Sequence, residues 1–276
     1  MMIKTIAVVL VLTLIHNLYA LENDHTQNDL VIPKIIHQVP RHGKRVKIFH
    51  KKYLGTQIYH SLYLPSDWQK EKKYPVIVEY AGNKWRDYPG TIEGCKIGFG
   101  ISAGKGVIWL CLPYVDEKNK ANAASWWGNI DATVAYCKKT VNEVCVQYGG
   151  DPAQVFIAGF SRGSIACNYI GLHDDEIASL WKGFICHSHY DGLRKWPYAE
   201  SDKASAKSRL QRLAKRPQFI SQEKSIIKTK QYLKTNYPNG EFTFLEMSFP
   251  QHSDTWVLKD CPERKELREW FWKTQK

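Results

Sequence analysis

The sequence lacks low-complexity tracts and internal repeats, and both absences narrow the class of protein. A solenoid or a propeller would show self-similarity at a fixed period, and a disordered chain would be poor in apolar residues. Here 43% of the residues are hydrophobic and 24% are charged, which is typical of a globular protein. A chain of 276 residues is long enough to bury a substantial core, and we expect one large domain.

Beyond its first twenty residues, the sequence also lacks any apolar run that is long enough to span a bilayer. Residues 1–20 combine Lys4 with the apolar run Ile6 to Ile15 and end on Ala20, a small residue at a plausible cleavage point. This pattern predicts a secretory signal peptide and a secreted protein, because the run is too short to cross a membrane comfortably. An uncleaved membrane anchor is the alternative interpretation.

No nucleic-acid-binding motif is recognisable, although the formal net charge is +12, or +11 once Lys4 is removed with the signal. For a secreted protein, this charge favours contact with an anionic matrix, an anionic polysaccharide or an anionic membrane surface. A well-solvated basic surface without any ligand is the alternative. We therefore expect no nucleic acid among the partners.

The seven cysteines are an odd number, so at least one must stay free or pair between chains. Three of them lie inside apolar patterns and are interpreted as small core residues: Cys111, Cys167 and Cys186. Four lie in more polar surroundings and are candidates for disulfide bonds: Cys95, Cys137, Cys145 and Cys261.

Short apolar strands alternate with helical patterns from residue 44 to the end, after a polar, aperiodic extension at 21–43. The patterns predict a hairpin over 47–64, strands over 74–80, 106–115, 155–159, 183–188, 217–221 and 242–249, and helices over 129–148, 164–172, 226–235 and 262–272. The alternation indicates an α/β fold, with a mostly parallel central sheet, helices on both faces and the N-terminal hairpin as an antiparallel edge. The basic segment 191–216 is interpreted as an insertion near a site or an extended connection.

The most specific motif is Gly159-Phe160-Ser161-Arg162-Gly163, a G-x-S-x-G sequence between a predicted strand and a predicted helix. A strand-to-helix turn of this tightness accepts only small neighbours, and it exposes the serine side chain above the edge of the sheet. Ser161 is therefore the candidate nucleophile. A glycine-rich turn with an incidental serine is the alternative.

A serine hydroxyl requires a base to become nucleophilic at neutral pH. His252 follows the last predicted strand and is the one histidine in the sequence C-terminal to the strand at 217–221. This position in the chain makes His252 the candidate general base.

These motifs resemble those of the α/β-hydrolase superfamily, in particular the secreted esterases related to polyhydroxybutyrate depolymerases and feruloyl esterases. The resemblance covers residues 47–272 and includes the segments 64–76 and 151–155 as well as the Ser161 and His252 loops. It implies an oxyanion hole formed by the N–H of Arg162 and a main-chain N–H of the loop at Gly82 and Asn83. Related enzymes have His-Gly in that loop, where this chain has Ala81-Gly82-Asn83.

The acid that orients the histidine is less clearly marked. Related enzymes carry Gly-Glu-x-Asp after the penultimate strand, and this chain has Ser225 where that aspartate would fall. Asp191, after the strand at 183–188, is the favoured acid, and Glu223 is the alternative.

Three further side chains are candidates for the substrate pocket: Trp85, Trp127 and His189. Aromatic rings in loops after strands can stack on a sugar or an aryl group. The sequence His187-Ser188-His189-Tyr190-Asp191 also resembles the start of a binuclear metal site, but Gly192 stands where the next histidine ligand would be. No metal and no cofactor are therefore expected.

Together the residues predict a serine hydrolase of the carboxylesterase type, which acts through an acyl-enzyme on a small or polysaccharide-linked ester. A serine peptidase on the same fold is one alternative. A secreted binding protein for anionic polymers, with a degraded catalytic site, is another.

Overall fold

The structure is a computed structural model that describes residues 27–248 and 250–276. The predicted signal peptide, at residues 1–20, lies outside these residues, and so do the first six residues of the predicted extension at 21–43.

Within the described residues, nine strands form one sheet and two short strands form another. The strands are β1 (Ile35–Ile36), β2 (Arg45–Ile48), β3 (His60–Tyr63), β4 (Tyr74–Tyr80), β5 (Ile108–Cys111), β6 (Val115–Asp116), β7 (Ala121–Asn122), β8 (Gly150–Phe160), β9 (Gly183–His187), β10 (Gln218–Glu223) and β11 (Phe242–Met247). The large sheet has the order β1-β2-β3-β5-β4-β8-β9-β10-β11, and β6 pairs with β7. Within the part of the large sheet with the order β5-β4-β8-β9-β10-β11, all neighbouring strands are parallel to each other.

The antiparallel part of the sheet lies at the N-terminal edge, as predicted. Strand β3 is antiparallel both to β2 and to β5, while β1 is parallel to β2. The predicted hairpin is thus confirmed, and β3 connects it to the parallel strands.

Seven helices surround the sheet in the part of the chain that is described: α1 (Ile97–Ser102), α2 (Ile130–Tyr148), α3 (Arg162–Tyr169), α4 (Asp175–Ser179), α5 (Lys203–Gln211), α6 (Ile227–Asn236) and α7 (Pro262–Thr274). The longest, α2, begins where Asn129 Oδ1 accepts the N–H of Ala132 and ends at Gly149, whose φ of 76° is left-handed. Both ends match the sequence pattern, because asparagine is a good N-cap and glycine accepts positive φ at low cost.

The core has two layers, one on each face of the sheet. Along β4, Val76 and Val78 pack in the layer that contains residues of α2, α3 and α6, whereas Ile77 packs in the layer that contains residues of α1 and α7. This alternation is the period-2 geometry of a strand that is buried on both faces. The predicted mostly parallel sheet with helices on both faces is confirmed.

Several elements differ from their predicted extent. Strand β5 ends at Cys111 rather than at 115, because Pro113 has no N–H to continue the ladder. The segment 191–216 contains α5, which begins where Asp202 Oδ1 accepts the N–H groups of Ala204 and Ser205.

A buried carboxylate joins three elements near the centre of the sheet. Glu79 on β4 is 1% exposed. Its oxygens accept the backbone N–H groups of Lys96, Ile97 and Gly98 at 2.7, 3.0 and 2.8 Å, and the indole N–H of Trp109 on β5 at 2.8 Å. These contacts hold the start of α1 against β4 and β5.

The prediction of disulfide bonds is wrong. All seven cysteines are free thiols, and all are buried except Cys145, which is partly exposed. The four cysteines of the polar segments pack in or against the two core layers, Cys137 and Cys145 in one and Cys95 and Cys261 in the other.

Across residues 27–248 and 250–276, no helix has both the length and the apolar character that crossing a membrane requires.

Candidate active site

Ser161 lies in the tight turn between β8 and α3, with backbone angles φ 56° and ψ −113°. The two glycines that flank Ser161 are in close contact with surrounding backbone atoms. A Cβ added at Gly159 would lie 2.2 Å from the backbone of Gly163, and one added at Gly163 would lie 1.9 Å from the carbonyl oxygen of Tyr80. Only glycine fits at these two positions, which accounts for the spacing of the motif.

The imidazole of His252 meets this serine. His252 Nε2 lies 3.1 Å from Ser161 Oγ, although the two residues are 91 positions apart in the chain. Because the loop after β11 and the turn after β8 both lie at the carboxyl ends of parallel strands, they reach the same edge of the sheet. The His252 ring also packs against Phe160, with ring centroids 4.8 Å apart.

Glu223, the last residue of β10, contacts the other nitrogen of this ring. Its Oε1 accepts a hydrogen bond from His252 Nδ1, and its side chain is 10% exposed. Burial on its own would raise the pKa of Glu223, but the hydrogen bond from His252 and the nearby His187 ring outweigh it and hold the pKa at about 2. Glu223 is therefore ionised at neutral pH.

The preference for Asp191 as the acid needs correction. Asp191 is 2% exposed, and its Oδ2 accepts hydrogen bonds from Arg209 Nε and Nη2 at 3.0 and 2.9 Å. Burial raises the pKa of Asp191, although Arg209 opposes this shift. Its carboxylate thus anchors α5, and the geometry favours Glu223, the alternative acid, as the partner of His252.

Ser188, which the sequence interpretation missed, lies between the acid and the base. Its hydroxyl donates to Glu223 Oε1 at 2.9 Å, and its oxygen lies 2.9 Å from His252 Nδ1. Ser188 also has a φ of 87°, which is unusual for a residue with a side chain. Its position directly after β9 is the one signal in the sequence that pointed to the site.

The residues of the predicted oxyanion hole lie next to Ser161. Arg162 is the first residue of α3, where backbone N–H groups have no partner within the helix. On the other side, a Cβ added at Gly82 would lie 3.3 Å from Ser161 Cβ, so this loop passes directly over the serine. The Gly82 N–H donates to the hydroxyl of Tyr88 at 3.2 Å. Asn83, which lines the same cavity as Ser161, is therefore the candidate second donor.

The side chain of Arg162 holds this loop in place. It is 1% exposed, and its guanidinium donates to the carbonyl oxygens of Gly82 at 2.9 Å and Gly90 at 2.7 Å, as well as to Trp126 O. Burial lowers the pKa of Arg162 to about 10, which leaves the group charged at neutral pH. Since the carbonyl of residue 82 and the N–H of Asn83 belong to one planar trans peptide, fixing the carbonyl directs the N–H to the opposite side.

A cavity of about 940 Å³ opens above Ser161 and His252. Of the predicted pocket residues, His189 and Trp85 line it. Trp127 does not: it is 3% exposed and packs in the core against Tyr114 and Tyr169. Its neighbour Trp126 lines the cavity in its place.

The His-x-His-x-Asp sequence does not converge on one point. His187 Nδ1 contacts Ser221 Oγ at 2.9 Å, the ring of His189 stacks on His252, and Asp191 pairs with Arg209. Among residues 27–248 and 250–276, no group of three or more His, Cys, Asp or Glu side chains is arranged to hold a metal ion.

The described residues thus bring together a hydroxyl, an imidazole and a carboxylate in series, beside two candidate main-chain donors. This arrangement is suited to nucleophilic attack by the serine on a carbonyl carbon, with the negative charge received by the N–H groups.

No protein-family model matches the sequence. Among curated proteins, liver carboxylesterase B-1 of Rattus norvegicus is 25% identical over 134 residues, which are 45% of this chain and 22% of that protein.

Solved structures resemble the chain over most of its length. A structure from a study of two fungal esterases of Rhizomucor miehei has a TM-score of 0.56 and 11% identity, and the match covers 90% of this chain and 85% of that one. The isopeptidase AtxE2 has a TM-score of 0.52 and 11% identity, over 84% of this chain and 43% of the isopeptidase. The chain therefore spans less than half the length of the isopeptidase and about a fifth of the rat carboxylesterase. At these identities, the likeness shows the fold.

Proposed function

We propose that this chain, which has the α/β-hydrolase fold, is a serine hydrolase that cleaves carboxylic esters through an acyl-enzyme on Ser161. The observation that carries the proposal is the contact of 3.1 Å between Ser161 Oγ and His252 Nε2, continued from His252 Nδ1 to the carboxylate of Glu223. If Ser161 were only an incidental serine in a glycine-rich turn, there would be no reason to expect a histidine and a carboxylate hydrogen-bonded in series to its hydroxyl.

In the proposed reaction, His252 takes the hydroxyl proton while Ser161 Oγ bonds to the ester carbonyl carbon. The N–H groups of Arg162 and Asn83 receive the negative charge on the carbonyl oxygen, and a donor of this kind typically lowers the barrier by about 3 kcal/mol. The C–O bond then breaks, and the leaving alcohol takes the proton from His252. Water, deprotonated by the same imidazole, releases the acid and restores the serine.

Glu223 has the role of the acid in this mechanism. Its ionised carboxylate accepts the Nδ1 proton of His252, which keeps Nε2 free to accept the proton of Ser161. The same carboxylate stabilises the imidazolium that forms during the reaction. The hydrogen-bonded Glu223 argues against the alternative of a degraded binding protein, since the histidine has an acid partner.

A serine peptidase remains the second candidate, because the same groups cleave amides and the isopeptidase AtxE2 shares the fold at a TM-score of 0.52. A panel of matched esters and amides separates the two. Secretion stays a prediction from the pattern of residues 1–20.

The test is the Ser161→Ala variant, assayed on a short-chain p-nitrophenyl ester. We expect turnover to fall to the background rate and labelling by a fluorophosphonate probe to disappear, because the reacting oxygen is gone. Ser179→Ala is the matched control, since Ser179 is exposed and lies outside the cavity. Wild-type rates in a folded Ser161→Ala protein would refute the assignment.

A further inference from the structure

The cavity that contains Ser161 carries an excess of positive charge. Lys96 and Asp254 balance each other, because Lys96 Nζ lies 2.8 Å from Asp254 Oδ1. Four further charged side chains of the lining are exposed, three cations and one carboxylate: Lys84, Arg86, Arg194 and Asp87. Within the part of the chain that is described, none of these four side chains forms an ion pair. Unpaired cations of one cavity attract an anionic ligand.

One of these cations is connected to the catalytic histidine through stacked rings. The ring of His189 lies 5.1 Å from that of His252 at an interplanar angle of 29°, and 5.3 Å from the ring of Trp196. The guanidinium carbon of Arg194 lies 3.5 Å from the centroid of Trp196. The wall of the cavity therefore runs from the reacting imidazole over two rings to a guanidinium.

The middle ring of this wall is uncharged. Burial, together with the charges of His252 and Arg194, lowers the pKa of His189 to about 4. At neutral pH it is a neutral, partly exposed ring between the reacting groups and Arg194. Trp126 lies beside Trp196, with the two ring centroids 5.6 Å apart. Aromatic rings that line a cavity pack well against an aryl or sugar ring, by their edges as well as by their faces.

We infer that the preferred substrate is an ester whose aryl or sugar ring bears a carboxylate, with the ring against His189 and Trp196 and the carboxylate on Arg194. The inference rests on the proposed function, since it concerns the substrate of the same site. A guanidinium suits this role because its planar donors match the two oxygens of a carboxylate.

The test uses two pairs of aryl esters that differ in a carboxylate. The first pair carries it on the acyl side: 4-nitrophenyl 4-carboxybenzoate and 4-nitrophenyl 4-methylbenzoate. The second pair carries it on the alcohol side: 4-carboxyphenyl acetate and 4-methylphenyl acetate. Selectivity is the ratio of kcat/KM for the anionic ester to that for the neutral ester, compared between wild type and variants so that intrinsic reactivity cancels.

We expect Arg194→Gln to lower the selectivity about tenfold in one of the two pairs, and added salt to lower the wild-type selectivity in that pair. The pair that responds shows on which side of the ester the carboxylate lies. Arg194→Glu should lower the selectivity further. Arg41→Gln is the matched control, because Arg41 is exposed and outside the cavity, and it should leave both ratios unchanged.

The outcomes separate the two proposals. A wild type that reacts with a fluorophosphonate and hydrolyses the esters, but has the same ratios as Arg194→Gln, overturns the carboxylate inference and leaves the serine hydrolase in place. A folded wild type that neither reacts with the probe nor hydrolyses any of the four esters overturns both.

Discussion

At the scale of single residues, the backbone of Ser161, the proposed nucleophile, is strained. Its φ of 56° with ψ of −113° lies outside the favoured regions for a residue with a side chain, at a cost of about 1 to 3 kcal/mol. The hydrogen bond from its N–H to His187 O, at 2.9 Å, and the close packing of the two flanking glycines hold it there. This backbone conformation places the Ser161 hydroxyl above the edge of the sheet, next to His252.

Two carboxylates with contrasting partners allow the acid to be identified by experiment. We expect Glu223→Gln to lower kcat on a p-nitrophenyl ester about 10³- to 10⁴-fold, because an amide no longer fixes the histidine tautomer or stabilises its charge. Asp191→Asn should keep a rate near that of wild type. It should instead lower the free energy of unfolding by about 3 kcal/mol, since the buried Arg209 would lose its buried ion-pair partner and keep only the exposed Glu200, at 3.7 Å.

Steady-state kinetics and denaturant unfolding on the same preparations check both expectations. If Asp191→Asn lost activity as severely as Glu223→Gln while remaining folded, the assignment of the acid would be wrong.

The sequence predicted the position of Ser161 because a local motif forms the turn, and that of His252 because the order of strands brings it to the same edge. Two assignments, that of the acid and that of the tryptophan in the pocket, depended on contacts that no local sequence pattern encodes. Asp191 and Glu223 both follow predicted strands, and only the positions of Arg209 and His252 distinguish them. Of the adjacent tryptophans, Trp126 has a φ of 53°, and this local turn places the two rings in different surroundings.

At the scale of elements, most strands and helices were predictable because each combines a periodic apolar pattern with a clear end. Helix α2 is the best case, with Asn129 before it and Gly149 after it. Helix α5 was missed because its buried face is made by Ala206, Arg209 and Leu210, and a buried arginine does not appear as apolar periodicity. Helix α1 was missed because it has six residues, two of them glycine, a poor helix former.

The hydrogen bonds of Glu79 predict that its carboxylate contributes strongly to the stability of β4, β5 and α1. We expect Glu79→Ala to lower the free energy of unfolding by about 3 kcal/mol or more, because the donors at the start of α1 and on Trp109 would be buried without an acceptor. Glu71→Ala is the control, since Glu71 is exposed and its loss should change stability by about 0.5 kcal/mol at most.

Urea unfolding of the two variants provides the measurement. Equal midpoints for Glu79→Ala and Glu71→Ala would show that the buried carboxylate does not stabilise the sheet.

At the scale of the whole molecule, stability comes from two packed layers and not from covalent cross-links. We expect all seven cysteines to react with a thiol reagent in guanidinium without prior reduction. In the native protein we expect at most Cys145 to react readily, because the other six thiols are buried away from the reagent. Burial also raises the pKa of three of them, Cys95, Cys167 and Cys261, and it raises the pKa of Cys137 to about 12.

Thiol counting with and without a reductant makes this measurement. A count of five or three in guanidinium that rises to seven after reduction would reveal disulfide bonds and contradict the structure.

The fold of the molecule also makes one side chain responsible for the spacing of the two candidate oxyanion donors. The backbone of Arg162 supplies one N–H. Its guanidinium donates a hydrogen bond to the carbonyl of Gly82, which belongs to the same peptide as the N–H of Asn83, the second candidate donor. A substitution of Arg162 would therefore disturb the relative placement of the two N–H groups. Lysine could not replace it, because a single ammonium has too few divergent donors to reach the same carbonyls. If the proposed hydrolase is engineered for new acyl groups, substitutions should therefore be made at the rim of the cavity and Arg162 should be kept.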